Sequence, residues 1–523
     1  MKYHISFRLA EQVVGALALL LLVSGCQTYQ QQTSQFAQTS TSSSLLASVS
    51  QIDKLAAESA GSKDEIVFRL EQGATLRTAA LANPSMVPDI RPPALPPTKE
   101  APVPEPRPDP TPEEVMTHYF NRSIEAFNLA EERIDHWEEQ ARVKAGAEAG
   151  ALVSNQASLP YRGRAYDKVM MNAYKALNYL ALGEKDKARV ELNRALQRQR
   201  DAVEENQSRI AAAQEEAELA RKGELKDEKG KTAAYDAEKA TGDAKTGPAL
   251  QEALKASIAP MKPYGDYVNP YAVFLDGLFF TILGEDGSDL ERGRKSFERV
   301  AEMVPDNAYV QEDLDAATAA AEGIAPEGVT YVIFETGTAP ARSQLRIDIP
   351  TFLVTSNLAY VGAAFPKLEY KHAYVDRLDI VLGEETTLNT ATVASMDSVI
   401  ANDFKNEWPA VVSKTLVTAA TKAIAQAVVQ KELNSRGGWA GMIGAAVLSG
   451  ASASTNIADT RSWLSLPKEF QYARFATPES RELLLRAGEQ ESLVSLPSGS
   501  VNVVYVKSSS SAAPLLISSF ALQ

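Results

Sequence analysis

The chain has 523 residues, 45% of them apolar, and a formal net charge of −14 at neutral pH. That length and apolar share suffice for two or three packed domains, and the acidic balance excludes nucleic acid and anionic lipid headgroups as main partners. Cys26 is the single cysteine, which excludes a disulfide framework and a thiolate metal site.

The N-terminus reads as a bacterial export signal: basic Lys2 and Arg8, an apolar run from Val13 to Val23, then Val23-Ser24-Gly25-Cys26. The run is shorter than the roughly 20 residues a spanning helix needs. Small Ser24 and Gly25 leave the Cys26 thiol unhindered, the lipobox pattern for acylation, with palmitate among the chains expected there. Several acyl chains, each adding about 0.8 kcal/mol per buried methylene, anchor far better than one. Gln27 stands where an aspartate would retain a lipoprotein in the inner membrane. The expectation is a signal peptide over 1–25 and a lipid anchor at Cys26 in the outer membrane, with the body facing the periplasm.

Residues 26–62, rich in Gln, Ser, Thr and Ala, read as a lipidated flexible tether. The stretch 64–81 predicts a helix with Ile66, Leu70 and Ala74 on one face. Twelve of the 27 prolines fall in 84–112, which predicts an extended, polyproline-like insertion. Thr111-Pro112-Glu113-Glu114 then gives a helix start, with a cap, a first-turn proline and early acids.

Two later segments carry a helix-turn-helix pattern at tetratricopeptide-like spacing. The first has Tyr179, Gly183, Ala188 and Ala195; the second has Gly277, Phe280, Gly284, Phe297 and Pro305, with a short insertion over Asp286 to Asp289. Small residues at such positions let paired helices approach, and aromatics fill the gap to the next pair. From Lys185 one helix is expected to run to about Lys222, roughly 57 Å. Past Val203 its apolar face thins to Ile210, Leu219 and alanines, so that end would project or pack on a partner. Residues 223–247 read as a charged, solvated loop.

At Val329 the periodicity changes to that of strands. Apolar or alternating runs cover VTYVIFE, QLRIDIPTFLV, LAYVGAAF, YVDRLDIVL and VNVVYVKS. A helical insert is expected over about 396–454. In its second half Gly438, Gly441 and Gly444 give a small-residue face, for packing within the domain or against a membrane or partner. Lys414, Lys422 and Lys431 would lie on its solvated side. The predicted fold is therefore α+β and multidomain. An α-helical repeat domain over 63–325 holds the insertions 84–112 and 223–247, and a mostly β domain with the helical insert covers 326–523.

Several stretches in order carry a resemblance: DEIVFRLEQG, LAEERIDHWEEQAR, LPYRGRAYDKVMMNAYKALNYLALGEKDKARVELNRA, YVNPYAVFLDGLFF, VIFETGTAPARSQLRIDIP and DTRSWLSLPKEFQYARF. With them, the chain resembles a little-characterised family of Gram-negative lipoproteins with tetratricopeptide-like repeats. Its members are often encoded beside lipoproteins similar to penicillin-binding-protein activators. The resemblance implies that DEIVFRLEQG and NRSIEAFNLAEERIDHW are the two helices of one opening repeat, with the proline-rich run inserted between them. It also implies envelope or peptidoglycan-synthesis work, and assigns chemistry to no residue.

The sequence offers no HExxH, GxxxxGK[ST] or GxSxG motif. His118 and His136 lie 18 residues apart, about 27 Å along one helix, so they share a metal only if the chain folds back between them; His4 and His372 complete the set. No cofactor, metal site or catalytic residue is expected. One loop, Glu335 to Arg342, offers a ligand or partner contact through Glu335, Gly337, Pro340 and Arg342. The plainer expectation there is a surface hairpin with an ion pair. The leading function is a non-catalytic scaffold or adaptor binding envelope proteins, other lipoproteins among them. The alternatives are a subunit of an export or secretion assembly, and an envelope-polymer enzyme using Glu335 and Asp348 as acid and base.

Overall fold

The computed structural model describes residues 29–41, 44–91, 108–145, 156–225, 234–262, 264–265, 268–351, 360–383, 386–435 and 457–523. The expected signal peptide, Cys26, most of the proline-rich run and Gly438, Gly441 and Gly444 lie outside these residues.

Helices dominate the first part of the described chain and strands the second, an α+β arrangement. The helices are α1 (Tyr29–Thr41), α2 (Leu45–Glu58), α3 (Glu65–Ala80), α4 (Pro112–Ala145), α5 (Ala165–Ala181) and α6 (Lys185–Lys222). After them come α7 (Ala237–Thr241), α8 (Thr246–Ile258), α9 (Pro270–Leu283), α10 (Gly287–Met303) and α11 (Ala308–Ala321). Strands β1 (Val329–Thr336), β2 (Ala341–Pro350), β3 (Tyr360–Glu369), β4 (Asp379–Leu382), β5 (Thr386–Asn389) and β6 (Ala391–Ser395) precede α12 (Met396–Ser435). The chain then adds β7 (Glu469–Ala476), β8 (Glu482–Ala487), β9 (Gln490–Ser495), β10 (Val501–Ser508) and β11 (Leu516–Ala521). No described helix is long and apolar enough to cross a membrane.

The central sheet has the order β11-β10-β1-β7-β6, with β1 parallel to β10 and antiparallel to β7. Alternation along each strand divides its side chains between two faces. Tyr331, Ile333, Phe470, Tyr472, Val503 and Tyr505 join the core made by the helices. Val332, Phe334, Phe475, Val504 and Val506 pack with Ile380, Leu483 and Leu485 of the second sheet, β5-β4-β8-β9, and with Leu378 just before β4. Helices, five-stranded sheet and four-stranded sheet thus form three layers. The helical and strand-rich regions share one continuous core: the Tyr271 ring of α9 stacks on Phe470 of β7 at 3.7 Å between centroids.

The expected tether is structured from Tyr29 onward. Tyr29, Thr33 and Phe36 are buried along α1, and Val49, Ile52 and Ala56 along α2. Both sets follow helical spacing, a period that the polar composition concealed. The Tyr29 hydroxyl donates to the Ser462 carbonyl at 2.6 Å, and Gln72 and Arg122 both bond Asp53, each at 2.8 Å. Truncating Ile52 to alanine is therefore expected to lower stability by about 2–5 kcal/mol in urea unfolding; a mere linker would show no change.

The thin end of α6 does not project. It packs on α12, where the Ser413 hydroxyl donates to the Ala213 carbonyl at 3.2 Å and Lys414 pairs with Glu216 at 3.5 Å. Ala213 and Ala220 are buried, and a small-residue face permits close approach between helices. Described residues of the expected solvated loop at 223–247 also join the fold. Tyr235 is buried with its hydroxyl on the Pro350 carbonyl, and α7 buries Ala237 and Ala240.

Candidate functional site

The loop singled out in the sequence is closed off from solvent. Glu335 belongs to β1, 1% exposed, and β2 pairs with β3 rather than with β1, so no β1–β2 hairpin exists. Gly337 has φ +68°, and a Cβ there would crowd Lys468 and Tyr374. Pro340 is buried and Arg342 is 2% exposed. Glu335 and Arg342 enter separate clusters. Asp348 is exposed and pairs with Lys245 at 2.6 Å, so it does not meet Glu335 as an acid–base partner.

Register places Glu335 beside Lys507 on β10, and the two form a buried ion pair. The hydroxyls of Tyr174 and Tyr505 each donate to the same carboxylate at 2.8 Å. Arg77 of α3 lies over the Tyr505 ring at 4.4 Å and donates to Asn178 at 2.7 Å. Asn178 reaches Ser123 at 3.0 Å, whose hydroxyl donates to the Gly73 carbonyl at 2.7 Å. Gly73 is required there because a Cβ would run into the Phe127 ring. Burial opposes the Glu335 carboxylate, yet Lys507, Arg77 and the hydrogen bonds hold its pKa below the ordinary value.

The second cluster joins α5, α12 and β2. Glu407 accepts from Arg164 at 2.6 Å and pairs with Arg342, whose guanidinium lies 5.1 Å from the Phe404 ring. Asp403, one turn away and 3% exposed, has no hydrogen-bond partner for either carboxylate oxygen among the described residues. Burial and the neighbouring Glu407 raise its pKa to about 6.

Two further carboxylates tie helices to strands. Glu71 accepts from the Ser465 amide at 3.1 Å and hydroxyl at 2.5 Å, and from the Leu464 amide; burial still pushes it to about 7. Asp313 accepts from Tyr331 at 2.7 Å and Tyr472 at 2.8 Å, and burial likewise takes it to about 7 against the pull of Arg474. Burial also raises Asp167, Asp276 and Asp397.

Glu71, Asp313 and Asp403 hold protons in the folded protein where the unfolded chain has released them. Between about pH 5 and pH 7 the folded state binds more protons, so stability falls as pH rises, by about 1.4 kcal/mol per pH unit for each fully differing group. His118, lowered by burial and then by Arg122, works the other way as one partly buried imidazole. Below about pH 4.5 the depressed carboxylates Glu335, Glu131, Glu138, Glu407 and Asp459 lose their contribution. Denaturation midpoints are thus expected to peak on the acidic side of neutrality. A midpoint that climbs steadily from about pH 5 to pH 8 would contradict these assignments.

The positions at repeat spacing form two helical hairpins. Gly183 (φ +75°) turns α5 into α6, while Ala188 and Ala195 are buried and Tyr179 is partly buried. Gly277 lies beneath Phe297, Gly284 ends α9, Phe280 is buried under Arg292, and Pro305 sits in the exposed turn after α10. The hairpins' inner faces are filled by the chain's own sheet, through Tyr174, Tyr271 and Phe274 against Phe470 and Tyr472. An open groove of about 860 Å³ instead runs between α6 and α10. Leu196, Arg200 and Val203 line one wall, Arg292, Lys295 and Arg299 the other.

His118 and His136 both lie on α4, and no group of three or more His, Cys, Asp or Glu residues is placed to hold a metal among the described residues. Sequence reasoning missed Arg77, Arg164, Asp403, Glu407 and Lys507. The available signal was a charged residue in phase with buried aromatics, as Glu335 is with Tyr331 and Lys507 with Tyr505. Compared with family models, curated proteins and solved structures, the chain matches none.

Proposed function

We propose that this chain is an outer-membrane lipoprotein of the envelope that acts as a non-catalytic adaptor, docking protein partners on the outside of degenerate tetratricopeptide-like hairpins. The groove between α6 and α10 carries this reading: it is large and open, while the buried charged clusters serve the join between helices and sheet. The stretches that carry the family resemblance support it too, because Glu71 of DEIVFRLEQG, Tyr174 of the LPYRG stretch and Ser465 of DTRSWLSLPKEF converge on this join.

Cys26 precedes the buried Tyr29 by three residues, a reach of at most about 11 Å. Acylation at Cys26 would therefore seat the body against the bilayer rather than hold it away on a long tether. Fractionating cells that express Cys26→Ser is the test. The adaptor should leave the outer-membrane fraction and appear in the soluble periplasm; unchanged partition would remove the anchor and the location with it.

A further inference from the structure

We infer that the groove between α6 and α10 receives an extended, acidic peptide segment of the partner, which rests on the adaptor reading and supplies its ligand chemistry. Four features of the groove converge on this.

The first is charge. The lining carries Arg200, Arg292, Lys295 and Arg299 against Asp276 and Glu291, a local excess of two positive charges on a chain whose net charge is −14. Arg292 is committed to buried Asp276 at 2.5 Å and to Asn193 at 2.6 Å, and Lys295 stands 3.7 Å from Glu291. Arg200 and Arg299 are exposed and have no carboxylate within ion-pair distance among the described residues. One stands on each wall.

The second is an unmet donor. Gln199 lines the groove and is 6% exposed. Its side-chain oxygen accepts from the Asn269 amide at 2.9 Å, while its side-chain nitrogen has no acceptor among the described residues. Such a buried donor costs about 1–3 kcal/mol when left unpaired. The nitrogen is enclosed as it stands, so a peptide carbonyl becomes its acceptor once the Gln199 side chain turns toward the groove on binding.

Shape and polarity supply the rest. The lining runs from Asn193 to Val203 on α6 and from Ser288 to Arg299 on α10, each about 15 Å at the helical rise. Some five residues of extended chain, at about 3.3 Å each, span that length. Val203, 39% exposed, and the partly buried Leu196 give an aliphatic side chain a place between the arginines.

The test uses the full chain purified in detergent and a fluorescent acetyl-Glu-Glu-Leu-Glu-Glu-amide probe, read by anisotropy. Binding should weaken at least about tenfold for the Gln-for-Glu peptide and for the Arg200→Glu/Arg299→Glu double variant. Gln199→Leu should weaken it severalfold. Both arginines are exposed, so the double variant should keep the parent's Tm. Equal binding of the two peptides, or indifference to the double variant, would overturn the inference. Full competition by inorganic polyphosphate, with no preference for the peptide, would assign the groove to an anionic polymer and equally overturn it. If the same double variant still captures envelope proteins in cells, the groove's chemistry fails while the adaptor reading stands.

Discussion

Replacing Glu335 with alanine is expected to destabilise the fold by about 3–5 kcal/mol, the cost of leaving a buried countercharge alone. The substitution strands Lys507, with Arg77 close by, and deprives the hydroxyls of Tyr174 and Tyr505 of their acceptor. Water reaches none of this freely, since Glu335, Arg77 and Lys507 are all buried. Glu335→Gln removes the charge and keeps one of the two acceptor oxygens, so only one of Tyr174 and Tyr505 retains its acceptor; it should fall between the parent and the alanine variant. Urea unfolding of the three proteins makes the comparison. A loss below about 1 kcal/mol for the alanine variant would mean that the cluster is solvated.

Glu407→Ala should cost a similar amount, about 3–5 kcal/mol, because one carboxylate stands between Arg164 and Arg342. The informative contrast is Asp403→Asn. Asp403 is buried without a hydrogen-bond partner among the described residues, and its raised pKa shows that its charge is disfavoured in the fold. Neutralising it should leave stability unchanged or increase it at neutral pH. If the two substitutions proved equally damaging, the arginines would depend on both carboxylates, and Glu407 alone would not be their counterion.

Helix starts and long periodic elements were legible in the sequence. The helix from Lys185 ends at Lys222 as its periodicity and the following Gly223 indicate. Thr111 and Glu114 cap α4 reciprocally, at 2.8 and 3.2 Å. Among the strands, β1, β2, β3, β4 and β10 were readable from their apolar runs, whereas β7, β8 and β9 mix charges into short alternating segments. Composition misled at the N-terminus: glutamines and serines hid the spacing of Tyr29, Thr33 and Phe36. The sequence places Glu335 and Arg342 in one loop, whereas the fold buries them in separate clusters. Glu335 meets Tyr174 and Lys507 across 161 and 172 residues of sequence, and Glu407 meets Arg164 across 243; one chain's local pattern does not encode such pairings. Nor does local pattern reveal a groove whose walls come from α6 and α10.

If the body is anchored at Cys26 and docks a partner in that groove, as proposed, the contact should be caught in the act. The most direct test is photocrosslinking in living cells from a benzoylphenylalanine placed at Val203, with one at Leu493, exposed on β9 far along the chain, as the control. The expected result is a discrete envelope adduct from position 203 only, strongly reduced when Cys26→Ser is added. No adduct from position 203, or the same adduct from both positions, would contradict it.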